Sequence, residues 1–188
     1  MSPRPIELPI EGLDDGVVRL RLVADADVPA VVEACQDPEI QRFTTVAAPY
    51  GPEDARHWQR MSSSGVAAGT DLATVIVDSG DGRLLGAVGL HNLDPASGRC
   101  SAGYWVAAPE RGRGVARRAL AALCSYAFQQ LDVQRVELWI EPENTGSLGV
   151  AEAAGFRREG LLRSFMPIGD IRRDMLMYSL LPVDAPAS

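Results

Sequence analysis

The chain has 188 residues, 46% of them hydrophobic, which is enough for one domain with its own core and too apolar for a disordered polymer. Its formal charge of -7 argues against a nucleic-acid partner, whose binding rests on neutralised phosphates. Three well-separated cysteines (Cys35, Cys100, Cys124) and two histidines (His57, His91) make neither a disulfide framework nor a metal-ligand cluster, so no metal is expected.

Residues 1–16 carry three prolines and four acidic residues and read as a flexible arm; residues 182–188 read as a tail, and residues 17–181 as one domain. Val17 to Val23 alternates apolar residues with arginine, as a half-buried strand does. Asp25 or Asp27 caps a helix over Val28 to Cys35, which Pro38 is expected to end. Arg42 to Gly51 reads as a loop. Pro52, Glu53 and Asp54 suit the first turn of a helix running to about Met61, with a Ser/Gly/Ala stretch after it. Leu72 to Val77, Leu84 to His91 and Cys100 to Val106 read as a three-stranded meander, turning at Asp78 to Arg83 and Asp94 to Arg99. Val115 to Gln130 places its apolar residues at helical spacing. Val133 to Ile140 follows as a strand, Ser147 to Ala154 as a helix ended by Gly155, and Phe156 to Leu162 with Arg173 to Leu180 as a closing strand pair.

The charges are unevenly spread: Met1 to Gly98 holds 7 arginines against 15 acidic residues, and Arg99 to Ser188 holds 11 against 10. Most are the ordinary charges of a solvated face, although the acidic half suits a cationic acceptor and the other half an anionic cofactor. No run of about eighteen apolar residues occurs, so no membrane partner is expected. Met1 to Pro9 lacks the basic start and apolar stretch of a secretion signal, and a cytoplasmic location is expected.

Tyr104 to Ala116 joins a strand to a helix through a glycine-bearing loop. The first amides of a helix lack internal partners and its dipole is positive there, so this junction suits a phosphate. Gly112 and Gly114 permit close backbone approach, small Ala116 keeps the first turn open, and Arg117 and Arg118 stand one turn in. A P-loop would end in Gly-Lys-Ser/Thr, which is absent. A dinucleotide fingerprint would need a glycine where Arg117 stands and a βαβ unit around it, and both are missing. Arg111-Gly112-Arg113-Gly114-Val115-Ala116 resembles a third loop at every fixed position: the acyl-CoA pyrophosphate loop of the GNAT superfamily, Gln/Arg-x-x-Gly-x-Gly/Ala.

Asn144-Thr145-Gly146-Ser147, followed by a short helix and Gly155-Phe156, resembles the next GNAT motif. Gly103-Tyr104-Trp105 and the ending Arg172 to Tyr178 resemble the RimJ/RimL-like branch, the ribosomal-protein N-terminal acetyltransferases. The resemblance runs from about Val17 to Leu181 and implies an α/β fold of the α+β kind, with a mixed, mostly antiparallel sheet of about seven strands flanked by about four helices. It implies acetyl-CoA as cofactor and direct transfer to a primary amine in a ternary complex, the amine belonging to a protein N-terminus or to a small molecule such as an antibiotic. It also implies that the strand ending near Trp105 and Val106 splays from its neighbour, so that its backbone holds the cofactor arm. Arg111, Gly112, Arg113, Gly114, Val115, Ala116 and Arg117 would then meet the diphosphate, and Asn144 the arm.

An alkylamine is mostly protonated near neutral pH, so transfer needs a base, a donor for the oxyanion, and a proton or positive field for the thiolate. The resemblance places Ser147 near the sulfur as acid for the thiolate; the alternative is a residue that only caps its helix, with Asn144 as the other cap. Many members carry a tyrosine acid where this chain has Ala151. The branch's candidate glutamate is replaced by Met166, which leaves two candidate bases, His91 at the end of a meander strand and Glu141 as the nearest acid. Each also has an ordinary reading, as a packed histidine and a solvated strand-end glutamate. Phe43, Tyr50, Trp58 and Phe165 are expected to shape the acceptor pocket. A homodimer is compatible with these features, none of which establishes it. The competing functional reading is a catalytically inactive acyl-CoA-binding sensor or interaction module.

Overall fold

Burial alternates with period two along β2 and β6, whereas the central strands β3 and β4 are buried on both faces of a single sheet. A computed structural model describes residues 4–168 and 170–184, so residues 1–3 of the expected arm and 185–188 of the expected tail lie outside the described residues. The strands are β1 (Leu13–Asp14), β2 (Val18–Leu22), β3 (Leu72–Asp78), β4 (Leu84–Asp94), β5 (Arg99–Val106), β6 (Arg135–Ile140), β7 (Arg157–Ile168) and β8 (Ile171–Leu180), in the order β1-β2-β3-β4-β5-β6-β8-β7. All neighbours pair antiparallel except β5 and β6. The helices are α1 (Val28–Ala34), α2 (Pro38–Phe43), α3 (Pro52–Ala68), α4 (Val115–Gln130) and α5 (Thr145–Ala153), with 3-10 turns at Asp25–Asp27 and Ala108–Glu110.

Alternation along β5 shows how the two faces divide. Cys100, Ala102, Tyr104 and Val106 join the larger core, which holds Leu120, Leu123 and Ala127 of α4 and Ala151 of α5. Trp105 points the other way, into a smaller core with Val28 and Val31 of α1, Ile40 of α2, and Ala55 and Trp58 of α3. The sheet is thus covered by α4 and α5 on one face and by α1, α2 and α3 on the other.

Four expectations change. Pro38 starts a helix instead of ending one: proline suits the first helical position, which needs no N-H, and the Asp37 side chain caps α2 by accepting from the N-H groups of Glu39 and Ile40. The Ser/Gly/Ala stretch continues α3 to Ala68, with the Ser62 and Ser63 hydroxyls bonding back to the carbonyls of Trp58 and Gln59. Glycine is required within it, because a Cβ on Gly65 would lie 2.7 Å from the Cβ of Asp71. Part of the expected arm is seated on the domain: Ile6 is buried, its N-H bonds the Val66 carbonyl at 2.9 Å, and the Tyr126 hydroxyl donates to the Glu7 carbonyl at 2.8 Å. The closing hairpin runs further than expected, through a bulge between Leu162 and Met166.

Candidate functional site

Strands β5 and β6 pair over Arg99–Ser101 with Arg135–Glu137 and then part. From Ala102 onward β5 has β4 on one side and no strand on the other, so the two strands make a fork with open inner edges. The fork leads into a cleft of about 1090 Å³. Cys100 and Cys124, behind it, are buried thiols whose pKa is raised by desolvation, so both are protonated packing residues.

At one end of the cleft lies the loop into α4. Gly112, Arg113 and Gly114 are exposed, and their N-H groups meet no backbone acceptor among the described residues. Gly112 and Gly114 have φ of +73° and +78°, a conformation that favours glycine, and a Cβ on either meets nothing within 4 Å. Val115, Ala116 and Arg117 add the unpaired first amides of α4 on the same side. The Arg117 side chain has no ion-pair partner among the described residues, whereas Arg118 is held by Asp15 at 2.8 Å.

Two loop arginines are held by carboxylates. Arg113 donates to Glu110 at 2.7 Å, and Arg83 grips the same carboxylate, so Glu110 holds the loop to the end of β3–β4. Arg111 reaches Asp37 at 2.6 Å, Glu39 at 2.5 Å and the Val106 carbonyl at 3.2 Å. Burial alone would raise the Asp37 carboxyl; the Arg111 guanidinium and two amide N-H groups outweigh it and hold its pKa below the usual carboxylate range. The Arg111 and Arg113 side chains are thus engaged by carboxylates, whereas Arg117 has no ion-pair partner among the described residues.

On the other arm of the fork, Asn144 caps α5 by accepting from the Ser147 N-H at 3.1 Å. Capping thus falls to Asn144, and the Ser147 hydroxyl has no hydrogen-bond partner among the described residues. Tyr104 crosses the fork to donate to the Ser147 carbonyl at 3.4 Å; burial pushes its pKa up to about 12, so it stays protonated.

The remaining expected residues face α1, α2 and α3. His91 stands over Gly103 of β5, with its Nδ1 3.5 Å from Asp71 and nearly half of its side chain exposed. Glu141 is a correction: it is 4% exposed, not solvated, and accepts from Arg42 at 2.8 and 2.9 Å and from Arg173 at 3.3 Å. Both carboxylate oxygens are thereby engaged by guanidinium groups. Phe43, Tyr50 and Trp58 line the cleft, with burial raising the Tyr50 pKa. Phe165 instead backs Trp139, edge to face at 5.0 Å, and Trp139 forms the wall. Its placement follows from the β7 bulge, where Ser164 has φ of +51° and is stapled by Asp174 and Arg172. The sequence marks Tyr104 only as part of a motif and does not mark Trp139, although period two from Glu137 and Glu141 puts Trp139 on the acceptor face.

The chain matches the model of the acetyltransferase (GNAT) domain over residues 18–157. This chain belongs to the GNAT acetyltransferase family. N-acetyltransferase p20 of Bacillus licheniformis, itself uncharacterised, is 30% identical over 158 residues, 84% of this chain and 87% of its own. The ribosomal-protein-serine acetyltransferase of Escherichia coli is 27% identical over 96 residues, 51% of this chain, and the chain spans only 54% of that relative. Among solved structures, RimJ of Mycobacterium smegmatis in complex with CoA-disulfide is 27% identical with a TM-score of 0.84, covering 92% of this chain and 86% of its own. The mixed, mostly antiparallel sheet flanked by helices is the GNAT fold, and the chain is RimJ/RimL-like. Acetyl-CoA is the cofactor of the family, and the open amides, the left-handed glycines and the parted strands fit it. No helix among the described residues is long and apolar enough to cross a membrane.

Proposed function

We propose that this chain is an acetyl-CoA-dependent N-acetyltransferase whose acceptor is the α-amine of a protein or peptide N-terminus. One observation carries the reading: β5 and β6 part beside a glycine loop that opens onto a helix N-terminus, so a single long anionic ligand fits loop and fork together. The bound cofactor supplies an acyl thioester. The amides of Gly112 to Arg117, with the Arg117 guanidinium, would hold its diphosphate, and the free edge of β5 from Ala102 to Val106 would line its arm.

Ser147 is assigned as proton donor to the departing sulfur, because Asn144 already caps α5 and leaves the hydroxyl free. His91 is assigned as the base that takes the ammonium proton. It lines the acceptor side of the cleft with an exposed edge, whereas Glu141 is engaged by two arginines. The peptide acceptor is supported by the names of the Escherichia coli relative and of RimL, an α-N-protein acetyltransferase similar in fold at a TM-score of 0.81.

Thiol release from acetyl-CoA, followed over a panel of peptides and small amines, tests the proposal. Turnover on peptides is expected. Turnover confined to small amines would move the acceptor, and CoA binding without thiol release on any amine would give the sensor reading instead.

A further inference from the structure

Between α1 and α3 the chain crosses the cleft as α2, and charge ties down both ends of that helix. At its start, Asp37 and Glu39 hold Arg111, which heads the diphosphate loop and whose Nε donates to the last carbonyl of β5. At its end, Arg42 Nη1 donates to both oxygens of Glu141, just past β6, and Arg173 of β8 shares that carboxylate. The helix therefore spans the fork from one arm to the other. Phe43, Thr44 and Val46, at its end and just beyond, line the acceptor side of the cleft.

We propose that Asp37 and Glu39 are positioning residues: through Arg111 they carry the state of the diphosphate loop to α2, and so set the acceptor wall once cofactor is bound. The inference rests on reading the loop as the CoA site. Arg111 is covalently part of that loop, so a ligand that orders amides 112–117 also orders its guanidinium and the two carboxylates on it. Without a ligand the tether is partly exposed, the side chains of Arg111, Asp37 and Glu39 being 33%, 19% and 68% exposed, and such pairs hold less firmly than buried ones. Coupling of this kind is reciprocal, so an occupied acceptor site also tightens CoA binding.

Hydrogen exchange of residues 38–47, with and without CoA, tests this in the wild type and in the double variant Asp37→Asn, Glu39→Gln. Asparagine caps a helix as well as aspartate does, so α2 keeps its cap while the charges facing Arg111 are gone. The reporting amides are Gln41, bonded to the Asp37 carbonyl at 3.1 Å, and Thr44, bonded to the Ile40 carbonyl at 3.0 Å. Saturating CoA should slow their exchange about tenfold in the wild type and less than about twofold in the variant. CoA affinity measured by calorimetry should be equal or higher in the variant, because two negative charges near the diphosphate have been removed. A purely structural role would weaken both together. The inference is overturned if bound CoA leaves exchange in the wild-type segment unchanged, if the variant is protected equally, or if the variant loses CoA affinity. A wild type that binds no CoA defeats the transferase reading and this inference with it; binding without protection defeats the inference alone.

Discussion

Replacing Gly114 by alanine separates the cost of backbone strain from the cost of blocking a ligand. Gly114 has φ of +78° and its Cβ position is open, so the free protein suffers no clash. A left-handed alanine costs about 1 kcal/mol, which lowers Tm by about 2–4 °C in a chain of this size. Gly82, in the β3–β4 turn away from the cleft, is a matched control with φ of +74° and the same open space, so Gly82→Ala should lose the same stability. On the loop, the new methyl occupies the space through which a diphosphate reaches the amides. Losing one charge-assisted hydrogen bond, about 1.5–3 kcal/mol, weakens CoA about 10- to 100-fold. Gly114→Glu adds a like charge; at about 4 Å and an effective dielectric of about 20 that contributes about 4 kcal/mol more, which removes measurable binding. Titration calorimetry with CoA on all four proteins, alongside melting curves, reads the result. A Gly114→Ala protein that binds CoA as Gly82→Ala does would refute the placement of the diphosphate on this loop.

Ser147→Ala should lower kcat about 100-fold and leave CoA affinity and Tm unchanged, because Asn144 keeps the cap; equal kcat removes Ser147 from the chemistry. Glu141→Gln should cost about 2 kcal/mol and lower Tm by about 4–8 °C, since it leaves Arg42 and Arg173 facing each other without their shared anion; an unchanged melting curve in scanning calorimetry would show that the cluster is no anchor. Glu159 is held near a pKa of about 2, against an ordinary 4.5, by Arg135 and then Ser179. A depressed folded value means that its contribution is complete above 4.5 and is lost as pH falls towards 2, so urea midpoints of Glu159→Gln should converge with those of the wild type over that window. Parallel midpoints down to pH 2 would show the pair to be inert.

What could be read from the sequence follows the range of the forces involved. The β2 strand, the meander and α4 are set by apolar patterning and turns within a dozen residues and occur where these put them, while the closing hairpin occurs there and runs on towards its turn. The glycine loop is local too: two left-handed residues before a helix need no distant partner to define them. The errors arose where a local signal has two outcomes. Pro38 both forbids a helix before it and starts one after it, and the Asp37 cap decides between them. The serines and glycines of α3 weaken a helix on propensity, and packing against Asp71 overrides that.

The acceptor side was beyond such reasoning for a definite reason. Its walls are fixed by Arg111 with Asp37 and Arg42 with Glu141, pairs 74 and 99 residues apart in sequence, and no spacing rule reaches that far. Glu141 shows the consequence: as a residue type near the site it qualifies as a base, and the two guanidinium groups that engage it come from α2 and β8. The cofactor half is built from main-chain amides, which most substitutions leave in place, and the acceptor half from side-chain pairs and apolar walls such as Trp139 and Met166. On the proposed reading, substitutions of Phe43, Trp139 or Met166 change the acceptor wall without touching the loop. That division makes the cofactor side legible in one sequence, whereas the other wall follows from contacts between segments far apart in the chain.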